Sequence, residues 1–177
     1  MSANDIDYAN TGLTLREAMV AHAKRYPDKK NRPDTILWGK FRVKTFDWVP
    51  VPYEGTVRLE FLSYSQIVRQ GVDVHVDGWL QLARGEQVPH LRTWLDNRFE
   101  DVVEYPFFSK DGFLRTWNVY EMTYPNGQKI EEKWTGNAGF WVEVNSNNDR
   151  IYHCSHGMAS PPDFDSLIYK LTIKQKH

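Results

Sequence analysis

From residue 56 onward the chain alternates. In TVRLEFLSY, Val57, Leu59 and Phe61 fall on one side and Arg58 and Glu60 on the other. That two-residue period belongs to a strand with one buried face. VDVHVDGWLQL alternates as well, and the Asp77-Gly78 pair inside it predicts a two-residue hairpin turn needing positive φ. A second hairpin is expected at YPNGQ, where Asn126-Gly127 separates LRTWNVYEM from KIEEKW. NSNND turns GFWVEV back into RIYHCS, and SLIYKLTI reads as a last strand. Upstream, TILWGKFRVKTFDWV is aromatic and β-branched and predicts one long or two short strands.

Only one stretch carries a helical period. Thr14 and Glu17 are spaced as a capping box, and Leu15, Ala18, Met19, His22 and Tyr26 fall near one face. Pro27 ends the run. One N-terminal helix near residues 14–26 is therefore expected to pack on a sheet. Without crossover helices between strands the sheet is expected to be antiparallel. The fold class is mainly β (α+β): an antiparallel β-barrel or two-sheet sandwich of about eight or nine strands. The whole chain, 1–177, reads as one domain, with residues 1–12 as a flexible N-terminal segment.

Composition sharpens this picture in two places. Aromatics are 14% of the 177 residues and include seven Trp, more than a core of this size needs, so some rings are expected at the surface. The chain has one cysteine, no basic-then-apolar leader and no apolar run near the length of a membrane span. A cytoplasmic protein, not associated with a membrane, is the expectation.

The net charge of −1 makes a nucleic-acid partner an unfavoured reading. Charge is nevertheless uneven. Residues 22–44 carry eight basic side chains against two acidic ones, and residues 86–104 carry five acidic against two basic. Such segments are either solvated faces or a surface that steers a partner.

Four groups of residues are candidate sites. RIYHCSHGM holds the single cysteine and two of the six histidines. On a strand, His153 points opposite to Cys154 and His156, so the three cannot share one metal, and the remaining His22, His75, His90 and His177 are scattered. No metal and no cofactor are expected, and Cys154 reads as a small core hydrophobe. TGNAGF, with Trp134 before it and Trp141 after it, places Asn137 in a glycine-flanked connection able to face a ligand or partner. Glu121, Glu131 and Glu132 flank a hairpin and read as solvated charges. In GEQVPHLRTW, His90, Arg92 and Trp94 occupy alternate positions and form one polar-aromatic strand face suited to an interface anchor.

Two functional readings follow. The first is a non-enzymatic binding protein acting through a protein partner, of inhibitor or immunity type. It uses Arg92, Trp94, Trp134, Asn137 and Trp141. The second is a small-molecule binder or enzyme on an aromatic-lined antiparallel barrel, with His153, Cys154 and His156 at its site. A filled core with an aromatic or charged patch favours the first. A barrel with a closed, ligand-sized cavity holding His153, or Cys154 with His156, favours the second.

Overall fold

A computed structural model describes residues 5–97 and 100–176 of the protein. The first four residues of the N-terminal segment, Arg98 of the acidic stretch, Phe99 and His177 lie outside the described residues. Asp7 bridges to Leu37, and Tyr8 lies buried in a short 3₁₀ turn. That part of the N-terminal segment is thus tied to the body of the fold.

Helix α1 spans Leu15–Arg25 and starts as its sequence dictates. Thr14 Oγ1 accepts from Glu17 N at 3.2 Å, and Glu17 Oε2 accepts from Thr14 N at 2.8 Å, closing the reciprocal capping box. Leu15, Ala18 and His22 are buried. Leu15 and Ala18 pack with Tyr8, Ile36, Trp38, Val43 and Phe164 in a small cluster under the helix. The floor of that cluster is a hairpin of β1 (Ile36–Trp38) and β2 (Phe41–Val43).

The remaining strands form one antiparallel sheet. They are β3 (Asp47–Pro50), β4 (Glu54–Tyr64), β5 (Gln70–Gln81), β6 (Gln87–Trp94) and β7 (Val102–Thr123). β8 (Lys129–Glu132), β9 (Gly139–Ser146), β10 (Asp149–Ser155) and β11 (Leu167–Gln175) complete it. The spatial order is β6-β5-β7-β4-β11-β10-β9, with β3 and β8 added along β7. β7 is long enough to pair with β4 through its first half and with β5, β3 and β8 through the rest. The main core fills with Val57, Leu59 and Phe61 from β4, Val72, Val74 and Val76 from β5, and Leu167, Tyr169 and Leu171 from β11. The sheet ends at β6 and β9 and does not close on itself. The closed barrel is thereby excluded, and the open sheet is consistent with the sandwich.

Among the described residues eleven strands form rather than about eight or nine, because two short hairpin strands precede the main sheet and β3 and β8 are separate additions to β7. The turn expected at Asp77-Gly78 is also absent. β5 runs straight through both residues, and its register against β7 shifts between Val76 and Gly78. Gly78, at φ 153°, forms a bulge where a Cβ would run into the Phe108 carbonyl oxygen. The real turn follows at Gly85, where Leu82 N donates to Glu86 O at 2.8 Å. The Asn126-Gly127 turn forms as expected, with Tyr124 N donating to Gln128 O at 2.8 Å.

Candidate functional site: an aromatic and ionic sheet face

Register decides which side chains share a face. Asp73 on β5 lies directly opposite Arg92 on β6 and Trp117 on β7, and His75 lies opposite His90 and Arg115. Trp48 on β3 lies opposite Arg115 from the other side. Directly opposed residues in an antiparallel pair point to the same side. One face of the β3–β7–β5–β6 array therefore collects Trp48, Arg115, Trp117, Asp73, His75, His90 and Arg92. Val72, Val74 and Val76 point from β5 into the core on the other side.

Asp73 is the fixed point of this face, with a side chain that is 0% exposed. Arg92 Nε meets Oδ1 at 2.7 Å and a terminal guanidinium nitrogen meets Oδ2 at 2.8 Å. His90 Nε2 lies 3.1 Å from Oδ2. The second terminal nitrogen of Arg92 reaches Glu131 Oε2 on β8 at 2.9 Å. Hydrogen bonding to Asp73 pushes the Arg92 guanidinium further up from its already high range, so its charge is permanent.

Aromatic rings continue the face; Trp117 is itself buried in the main core cluster, and Trp134 packs against that cluster. Trp117 packs on Trp134 with centroids 5.2 Å apart, and Trp134 packs on Phe46 at 6.0 Å. On the other side Trp117 meets His90 at 5.7 Å, and His90 meets His75 at 5.9 Å. Arg115 covers Trp48 at 4.0 Å, and Trp48 meets Phe113 edge-on at 5.7 Å. Lys133 sits over both Trp117 and Trp134. Burial and the Arg115 charge push the His75 imidazole down from its ordinary range. Phe46, Trp48 and Phe113 stay exposed at 44%, 46% and 37%. The indole nitrogens of Trp117 and Trp134 are buried and have no acceptor among the described residues.

Trp94 lies at the edge of this face, opposite Gly71. Arg69 stacks on it at 4.1 Å and is held by Asp96 and Glu121. Four cations (Arg69, Arg92, Arg115 and Lys133) thus stand among five carboxylates: Asp73, Asp96, Asp111, Glu121 and Glu131. The face is close to neutral and is not an anion trap.

The other sequence candidates go elsewhere. Asn137 is a structural brace: its Oδ1 accepts from Leu15 N at 3.0 Å and its Nδ2 donates to Ala159 O at 2.6 Å. Trp141 stacks flat on His153, centroids 3.9 Å apart and 3° from parallel, and the Phe41 ring lies 5.0 Å from Trp141. His153 Nε2 approaches Glu143 Oε1 at 3.1 Å but off the line a hydrogen bond requires. Cys154 points into the main core, fully buried, and burial pushes its thiol well up, with Asp163 adding to the effect. His156 turns back on its own loop, Nδ1 accepting from Met158 N at 3.1 Å. Of the sequence candidates outside β6, the structure brings Trp134 and Glu131 to the Arg92 face. The sequence reading did not single out Asp73, His75, Arg115 or Trp48 as site residues. Their signal was present in the alternation of β5 and β7, but register was needed to align them.

Among the described residues no helix is long and apolar enough to cross a membrane, and no three His, Cys, Asp or Glu side chains are grouped to hold a metal. Comparison with protein-family models, with curated proteins and with solved structures returns no match to this chain.

Proposed function

We propose that this protein works by binding another protein, without catalysis of its own, through the outer face of the β3–β7–β5–β6 array. The observation that carries the reading is the continuous run of contacting rings from Phe46 through Trp134 and Trp117 to His90 and His75. The exposed Phe46, Trp48 and Phe113 stand at its margin. Exposed apolar groups rimmed by polar ones mark association sites, and Trp and Arg dominate the energetics of such sites.

Three further points support it. The near-neutral balance of the face suits a protein surface better than a polyanion. Asp73, Arg92 and Glu131 are already mutually paired, so the face is pre-organised and loses little side-chain entropy on binding. Two buried indole N–H groups without acceptors among the described residues are a cost to stability, of the kind found where a surface serves something other than the fold. The small-molecule or enzyme reading relied on a cavity holding His153 or Cys154 with His156. Cys154 is instead packed solid, and His156 is engaged with its own loop.

Within this reading Trp48 and Phe113 are the anchors, and Arg92 is a brace. The test places a photo-crosslinking amino acid at Phe113 in the full chain and, as a control, at Val144 on β9. The expected result is a discrete adduct from position 113 in host extract. Unlabelled wild-type protein should compete it, and Trp48→Ala should reduce it about tenfold, equivalent to about 1.4 kcal/mol. Adducts equally abundant from Val144, or insensitive to competition, would overturn the reading.

A further inference from the structure

A second site adjoins this face, between α1 and β3, and shares Phe46 and Trp48 with it. The cleft there encloses about 600 Å³, within the range of small-molecule sites. Its charge is what distinguishes it. Arg16, Arg32, Lys44 and Arg150 line it against only two carboxylates, Asp34 and Asp47. Three of these residues, Arg32, Asp34 and Lys44, come from the basic stretch at 22–44, so the cleft is where part of that uneven charge converges.

Asp47 is fully matched. It is buried and accepts from Lys44 Nζ at 2.7 Å, from an Arg150 terminal nitrogen at 2.9 Å and from the Tyr152 hydroxyl at 2.8 Å. Asp34 stands at the rim with its side chain 82% exposed, 3.4 Å from Lys44. Arg32 is used in part, donating to Tyr26 O at 2.8 Å at the end of α1. His22 Nε2 donates to Pro33 O at 2.8 Å. Arg16, on the exposed side of the first turn, has no carboxylate partner among the described residues. Arg150 Nε is buried and has no acceptor among the described residues. The cleft therefore carries two positive charges in excess and donor capacity that the protein itself does not use. The rest of its wall is apolar: Met19, Ala23, Pro33, Phe46, Trp48 and Pro50.

We infer that this cleft binds a small organic anion, a carboxylate or phosphate-ester group carried on a compact apolar body. Guanidinium groups match both oxyanions through paired N–H donors. The anion sits toward Arg16 and Arg150. The apolar body lies against Met19, Pro33 and Phe46, which free inorganic phosphate would leave uncovered.

Calorimetric titration of the full chain with benzoate, phenyl phosphate, benzyl alcohol and inorganic phosphate tests this. Either benzoate or phenyl phosphate binds at least tenfold more tightly than benzyl alcohol, and the tighter of the two identifies the anionic group. Arg16→Ala weakens that binding at least fivefold, and Arg16→Glu weakens it further, with the thermal midpoint unchanged because the side chain is exposed. The inference is overturned if neither anion binds, if benzyl alcohol or inorganic phosphate binds as tightly, or if Arg16→Glu changes nothing. The cleft shares Phe46 and Trp48 with the aromatic face, but Arg16 does not belong to that face, so loss of anion binding in the Arg16 variants with the position-113 adduct intact separates failure of one reading from failure of the other.

Discussion

Arg92 and Asp73 face each other across β6 and β5 and are joined by two contacts, at 2.7 and 2.8 Å, with the aspartate wholly buried. A charge pair of this kind is costly to break from one side, because the survivor remains buried.

Arg92→Ala is therefore expected to lower unfolding free energy by about 3 kcal/mol, discounted for the partly exposed arginine and the remaining His90 contact. The double variant Arg92→Met with Asp73→Leu is expected to cost less than the single one. Urea denaturation of both measures it. A single variant within 0.5 kcal/mol of wild type, as for an ordinary surface change, would show that the pair is not what holds these strands in register.

Cys154 is expected to be silent toward a thiol reagent such as Ellman's in the native protein and to react fully in denaturant. Its burial both blocks access and disfavours the thiolate. Cys154→Ser should cost about 1–3 kcal/mol by placing a hydroxyl in an apolar core. Thermal melts of the variant, with the reagent assay on wild type, decide the point. Rapid native labelling would reopen a catalytic role for the thiol.

His156 makes stability fall on acidification. Burial pushes its imidazole below the ordinary value of 6.5, against an opposing influence from Asp163. The unfolded chain then takes up the proton more readily than the folded one. Stability is complete above the unfolded pKa and declines as pH drops below about 6.5 toward the folded value. The geometry agrees, since protonated Nδ1 can no longer accept from Met158 N. His75, also held down by burial, contributes in the same direction. His156→Gln should flatten the melting-temperature profile between pH 7.5 and 5.5; an unchanged slope would exclude the residue as its source.

Two glycines test the corrected hairpin. Gly78→Ala is expected to cost about 2 kcal/mol or more, because its Cβ would collide with the Phe108 backbone. Gly85, at φ 85° in the true turn, has open space around it, so alanine there should cost only about 1 kcal/mol from backbone strain. Equal losses at both positions in chemical denaturation would argue against the bulge.

The sequence by itself determined the local elements. Thr14 and Glu17 specify the start of α1, and the alternation through Val57, Leu59 and Phe61 specifies which side of β4 is buried. Asn126-Gly127 specifies a turn, and the alternation of His153 and Cys154 sends the sulfur inward. These follow from interactions within a few residues. Tertiary structure decided the rest. Asp77-Gly78 is a bulge because β7 lies alongside and Phe108 approaches, a fact about a neighbour thirty residues away. Whether the sheet closes depends on which strands become edges, which no strand encodes alone. The aromatic face needs β3, β5, β6 and β7 in one register, so Trp48, Asp73, Arg92 and Trp117 meet only after long-range pairing. Short-range propensity fixes period and turn chemistry; the positions of partners across a sheet are set by the global minimum of packing and hydrogen bonding.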